Sequence, residues 1–575
     1  MTDSPYVQAN SGGEAPRWRT FDGPVVLALA RTFTSAVRVL ESLTLFRGDT
    51  RVLFVFAYDG TSAFNAGTER LLAEHQVCLV PWESRLEVEP ALVLTATENA
   101  DLTGFSCPVV VLPHGVGFQK YVPDHRSGEV RLSGVPRPEF HDADNVHLVL
   151  SHPAQREQLR AARVPLAEHA VVVGDPARDR LLAGRRMRDR YREHMGVRPD
   201  QRLVVATSTW GPEGLIGSRP LLPGSLLGAL PHDGYRVAAV LHPNVWFAHS
   251  PWQVRHMLAD ALDAGLLLIP PHSGWGAAMV AADCVVGDHG SVTLYGAAMD
   301  HPVLLAAMGS ESVPGTAVSE LARTAARLAP EDLRRQVETA IDGHRPGLHS
   351  EAADLAFAHP GQGWRRLTEL LYGLLGLEPR PSDRVGEDTG RSLPPPVADP
   401  ATGTPRSFEV HGRLEGPQEV SLERFPAASR TVPDPPHGTF RHLCAYETEE
   451  RDALANSASV VCRDAPPGEA DHGAASADSW AARTLRAYPG ALAVACATSL
   501  GTLLVVRDGR RFLVRSRPPL PPALAAGAVY TFLRSSAQVP DHVKVWVGSV
   551  PKECAVESLP PSGPPDPGPG RSGPR

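Results

Sequence analysis

Lysine is nearly absent from this sequence: Lys120, Lys544 and Lys552 are the only three in 575 residues. Arginine carries the positive charge instead, interspersed with acids, and the net charge is −8. A nucleic-acid-binding surface would show as a basic stripe, and none is present. No uninterrupted apolar run reaches the roughly 18 residues of a transmembrane helix, so none is expected. The seven cysteines are scattered without a Cys-x-x-Cys pair. Neither a zinc site nor a disulfide framework is expected, and the cytoplasm is the default compartment. Residues 1–23 lack an apolar signal core and read as a disordered lead-in. Neither Gly-x-Gly-x-x-Gly nor Gly-x-x-x-x-Gly-Lys-Ser/Thr occurs, which argues against a dinucleotide dehydrogenase and a P-loop ATPase. No repeat of solenoid period is visible either.

What is present is an ordinary soluble composition, 42% hydrophobic and 21% charged, in a chain long enough for several domains. From Pro24 to Leu375, short β-rich apolar runs alternate with helical stretches. Strands are expected at 25–30, 52–57, 77–81, 91–96 and 109–113. A second series follows at 146–150, 171–173, 203–206, 237–241, 266–269, 284–286 and 303–306. Continuously apolar strands separated by helices imply parallel sheets covered on both faces. Between the first two strands, Phe33, Val37, Leu40 and Leu43 mark one face of a helix at 32–46. The expectation is an α/β protein with two tandem Rossmann-like lobes, 24–140 and 141–377, and an active cleft between them. Residues 378–406 read as a cleavable Pro-rich linker between separately folding pieces. A smaller α+β domain is expected at 407–559, with a tight hairpin at Asp508-Gly509, a helix at 522–535 and a strand at 543–547. Within it, 465–478 reads as a mobile loop, and 560–575 as a disordered tail.

An open parallel sheet binds ligands beyond the carboxyl ends of its strands, and three polar motifs lie at such ends. Val109-Val-Val-Leu-Pro-His114-Gly115-Val-Gly117-Phe-Gln-Lys120 joins a histidine, glycines that let a ligand approach, and a rare lysine. His114 suits a general base because its ordinary pKa lies near neutrality; the bland reading is a histidine that caps a loop. Val240-Leu241-His242-Pro243-Asn244 ends another strand, and His242 could donate a hydrogen bond to phosphate or merely sit in a turn. Gly287-Asp288-His289-Gly290-Ser291 turns from a strand into a helix whose N-terminus favours an anion. Asp288 and Ser291 would also serve there as plain capping residues.

These motifs, in this order, resemble the CDP-glycerol glycerophosphotransferases of teichoic-acid synthesis, and more loosely the GT-B glycosyltransferases and UDP-N-acetylglucosamine 2-epimerases. His114-Gly115 with Lys120 looks like the family's His-Gly motif. Leu241-His242-Pro243 matches its Arg-x-His-Pro segment without the arginine, and Asp288-His289-Gly290-Ser291 is similar to its Asp-Tyr-Ser-Ser turn. Gly174-Asp175-Pro176 with Asp179 resembles its Gly-x-Pro-x-x-Asp segment. Thr207-Ser208-Thr209-Trp210 stands where the family has Pro-Thr-Trp-Arg, again without the arginine.

The resemblance implies a GT-B-type transferase that moves a glycerophosphate or glycosyl group from a nucleotide-activated donor to a hydroxyl acceptor. No metal or other cofactor is implied, because the nucleotide enters as substrate. His114 and His242 would be catalytic; Gly115, Lys120, Thr209, Asp288, His289, Gly290 and Ser291 would bind substrate. The acceptor would be a cell-envelope polymer or lipid-linked precursor, reached from the cytoplasm or from the membrane periphery. The alternatives are a sugar-nucleotide epimerase or hydrolase on the same fold, and an inactive scaffold that binds a nucleotide-linked metabolite.

Overall fold

The computed structural model describes residues 21–62, 65–123, 130–272, 274–380, 393–429, 432, 434–464, 474–535 and 537–561. Most of the lead-in and of the tail, residues 381–392 and residues 465–473 therefore lie outside the described residues.

Among the described residues, the first parallel sheet contains Val25–Ala30, Leu53–Tyr58, Leu79–Val80, Leu92–Thr95, Val109–Val111, Val146–Leu150 and Val171–Val172. Counted along the chain, these strands lie side by side in the order 3-2-1-4-5-6-7. The strands are apolar throughout because both faces are covered. Val26, Ala28 and Ala30 point into one core and Leu27 and Leu29 into another, as the two-residue period of a strand requires. Helix Phe33–Leu43 covers one face, burying Phe33, Ala36 and Val39 more deeply than the expected Val37, Leu40 and Leu43.

The second parallel sheet contains Arg202–Ser208, Tyr235–Leu241, Leu267–Ile269, Cys284–Gly287, Val303–Leu305 and Ala326–Arg327, in the order 3-2-1-4-5-6. It too lies between two cores, Leu203 and Val205 facing one and Val204 and Ala206 the other. In each sheet the strand order reverses beside the first strand, leaving a crevice at the carboxyl ends of strands one and four.

The boundary between the lobes differs from the expected 140/141. Val146–Leu150 pairs with Val109–Val111 in the first sheet, guided by Asn145, whose Nδ2 donates to Phe105 O and Cys107 O at 3.0 and 2.8 Å. An apolar run reads the same whichever sheet it joins, so only these contacts over long range assign it. The chain crosses to the second lobe near Gly174 and returns through Phe357 and Ala358. Helix Gly363–Leu374 then packs Leu367, Leu371 and Tyr372 into the first lobe's core. At the double crossing, Ala358 N donates to Ser151 O at 2.8 Å. Gly174 adopts φ +91°, where an added Cβ would stand 2.6 Å from Ala358 O.

Residues 407–559 form a closed barrel where an α+β domain was expected. Nine strands of the described residues close it, from Ser407–Gly416 to Val550–Leu559. The helix Pro522–Arg534 supplies residues to the same interior core, with Ala523 to Phe532 buried around its whole circumference. A helix apolar on every side must be enclosed. The Asp508-Gly509 hairpin joins Gly501–Val506 to Arg511–Ser516 as expected. Residues 474–478, expected in a loop, begin the helix Ala474–Ala487.

The barrel is anchored on the second lobe. Arg424 donates to Asp233 in a bidentate pair at 2.8 and 2.7 Å, both side chains 7% exposed. Residues 393–405 are not a free spacer. Leu393 O accepts from Tyr191 Oη at 3.1 Å, and buried Asp399 accepts from Arg255 through two bonds of 2.9 Å. Asp399 N and Gly403 N add bonds to Leu268 O and Leu262 O at 2.7 and 3.0 Å, laying the Pro-rich segment along the lobe. Among the described residues no helix is long and apolar enough to cross a membrane.

Candidate functional site

The carboxyl ends of the two sheets face one cleft of about 1100 Å³. His114, His242 and Ser291, far apart in sequence, all border it, together with Gly115, Lys120, Thr209, His289 and Gly290.

His114 follows Val109–Val111 through Leu112-Pro113, and its side chain is 46% exposed. The backbone beyond it presses on the second lobe. Val116 N donates to Ser291 Oγ at 3.1 Å, and a Cβ on Gly115 would stand 3.0 Å from that oxygen. The helix Ser291–Ala298, which begins where its motif led one to expect, thus opens against the histidine loop. Further along, Val313 N donates to Gln119 O and Tyr121 N to Glu311 O, at 3.0 and 2.8 Å, clasping the lobes together. Between these bonds lies Lys120, whose Nζ stands 5.2 Å from the centre of the Trp210 ring. It has no ion pair among the described residues. Burial pulls its ammonium below the usual range, with Glu311 and Asp288 partly offsetting this.

His242 ends Tyr235–Leu241, and Pro243 begins the following helix. The imidazole caps that helix: its Nδ1 accepts from Asn244 N at 3.1 Å. Burial pushes its pKa down to about 3, and Lys120 and His114 add to the effect. A proton on Nδ1 would also oppose the helix dipole. The ring is therefore neutral at ordinary pH and carries its proton on Nε2. His152-Pro153 builds the same cap in the first lobe, with Ala154 N donating to His152 Nδ1 at 3.1 Å, but it does not border the cleft. The cap is structural in both lobes; the position of His242 on the cleft is what distinguishes it.

Asp288, expected to bind substrate, does not line the cleft. Fully buried, it accepts from Thr209 N, Leu215 N and Gly290 N at 2.8, 2.7 and 2.9 Å. Burial pushes the carboxyl upward, and those same N–H groups oppose the shift. Asp288 is the clamp of the loops that end Arg202–Ser208 and Cys284–Gly287. Thr209 spends its backbone N–H on that clamp and borders the cleft. His289 borders the cleft, but both ring nitrogens are engaged. Gly309 N donates to Nδ1 at 2.9 Å, and Nε2 meets Glu311 Oε1 at 2.7 Å. A polar residue beyond a strand looks the same in sequence whether it faces the cleft or the neighbouring loop.

The first lobe contributes residues that sequence reasoning missed. Arg31 follows strand one and Glu98 strand four, at the crevice where strand order reverses. The strand-end rule that selected His114 would have selected both. Arg31 Nε pairs with Asp59 at 3.0 Å. Arg131 borders the same crevice, and Arg38, Tyr295 and Trp275 line the floor. Burial opposes the charge of Arg38, but Tyr295, Glu41 and Asp175 outweigh it and hold the guanidinium protonated. Among the described residues, no three His, Cys, Asp or Glu side chains are grouped to hold a metal ion.

No family model and no curated protein matches the chain. Among solved structures, the wall teichoic acid polymerase TagF is similar at 11% identity and a TM-score of 0.43, over 61% of this chain and 89% of that one. A glycosyltransferase from Rickettsia africae ESF-5 is similar at 12% identity and a TM-score of 0.37, over 61% and 99%. S. aureus MnaA with UDP is similar at 13% identity and a TM-score of 0.38, over 62% and 99%. Identity this low transfers no substrate.

Proposed function

We propose that the two-lobed module is a metal-independent transferase that moves a glycosyl or glycerophosphate group from a nucleotide-activated donor to a hydroxyl acceptor. The observation that carries this reading is the meeting of His114, Lys120, His242 and the Ser291 helix terminus on one cleft, at the carboxyl ends of both sheets. The donor's diphosphate rests on the second lobe. There the helix terminus and the Nε2–H of His242 supply donors, and Lys120 of the first lobe, which has no ion pair among the described residues, adds positive charge from across the cleft. The acceptor enters from the first lobe, where the half-exposed His114 takes the proton of its hydroxyl. The clasp between Gln119–Tyr121 and 311–313 holds the lobes closed, which keeps water from the activated donor. Glu98 favours a second reading, an epimerase or hydrolase, because it supplies the cleft acid that such chemistry needs.

Incubation with a panel of CDP- and UDP-linked donors, with and without hydroxyl acceptors, tests the proposal by release of nucleotide. Release that depends on acceptor is expected. His114→Ala should lower kcat about 10²–10⁴-fold with donor affinity nearly unchanged. Release without acceptor would point to a hydrolase and epimerised donor without release to an epimerase; a panel that shows neither, and no acceptor-dependent release, would overturn both readings.

A further inference from the structure

We infer that Glu98 is the positioning residue of His114: its carboxylate takes the Nδ1–H and leaves Nε2 to receive the acceptor's proton. The inference rests on the transferase reading above and adds the group through which His114 becomes an oriented base. The Glu98 side chain is only 10% exposed, yet among the described residues it accepts no hydrogen bond. Its ion-pair partners among the described residues are His114 Nδ1 and Arg131 Nη2, each at 3.8 Å. A buried carboxylate left in that state is costly, so one neighbour should close on it.

Arg131 is already committed. Its Nη2 donates to Asn99 Oδ1 at 2.9 Å and its Nη1 to Val135 O at 3.1 Å. The chain beside Glu98 is held, because Arg31 Nη1 donates to Asn99 O at 3.1 Å and Arg131 Nη2 to Asn99 Oδ1. Of the pair, the half-exposed imidazole has more room to adjust than the nearly buried carboxylate. A carboxylate on one ring nitrogen fixes the tautomer and makes the other nitrogen the stronger base. Charged groups bordering the same cleft include Arg31, Arg131, Arg137, Glu139 and Lys120 on the first lobe, while His242 across it is neutral.

Nitrogen-15 histidine spectra of the substrate-free protein test this, with His114→Ala identifying the signal among 23 histidines. The parent should show His114 as the Nδ1–H tautomer. Its titration midpoint should fall in Glu98→Gln by about half a unit to one unit, the size one nearby carboxylate produces near a protein surface. Glu98→Asp should recover part of that fall. An Nε2–H tautomer in the parent overturns the inference whatever the variants do. So does an equal midpoint in parent and in a Glu98→Gln protein that melts like it. In turnover, the acid limb of kcat/KM should move down with the midpoint while donor KM stays the same. A moved midpoint with no nucleotide released from any donor refutes the transferase reading and not the pairing; release with an unmoved midpoint does the opposite.

Discussion

At the scale of the residue, the cleft separates side chains that face a ligand from those that build the wall behind it. Asp288 belongs to the wall. Asp288→Ala would strip three buried backbone N–H groups of their acceptor and is expected to cost about 2–4 kcal/mol of stability. Chemical denaturation measures this; a variant as stable as the parent that only loses donor affinity would return Asp288 to the ligand. The same division explains what the sequence could disclose. His114, His242 and Ser291 were legible because each lies directly beyond an apolar run and also borders the cleft. Asp288 and His289 satisfy the first condition, but their atoms are occupied by loops tens of residues away. Glu98 and Arg31 meet both conditions, and they escaped notice for want of a neighbouring glycine or a familiar motif.

Elements were legible where their pattern is local. The apolar runs located twelve strands of the two sheets to within a few residues, and Ser291 was placed at a helix start. The sheet that Val146–Leu150 joins was not legible, since its partner is chosen by Asn145 and the neighbouring loop. The barrel was legible only in its hairpin, its helix and one strand, because closure is a property of all its strands together. The double crossing between the lobes depends on one backbone conformation. Gly174→Ala combines φ +91° with a Cβ contact of 2.6 Å to Ala358 O, so a loss of about 2 kcal/mol or more is expected. Thermal melting reads the loss, and an unchanged Tm would mean that the crossing yields to relieve the strain.

Across the whole molecule, several histidines are folded in a neutral state. Burial pushes His232, His242 and His442 down to about 3 and His301 to about 4. Unfolded, each would titrate near its ordinary value of about 6.5. Between those limits the unfolded chain binds more protons, so stability rises with pH. It should be fully present above about pH 6.5 and decline as pH falls toward 4. Urea midpoints taken from pH 4 to 8 check the sign; a midpoint that does not fall on acidification would show that these rings become hydrated or move before the chain unfolds.

The anchoring of the barrel has a mechanical consequence. Arg424 with Asp233, and Asp399 with Arg255, tie it to the second lobe, while the chain crosses between the two lobes at Gly174 and again at Ala358. A rotation at that joint carries the barrel with the second lobe as a lever. A few degrees of opening at the cleft would then appear as a larger sweep at the barrel's far wall, so that opening could be followed from a label placed well away from the chemistry.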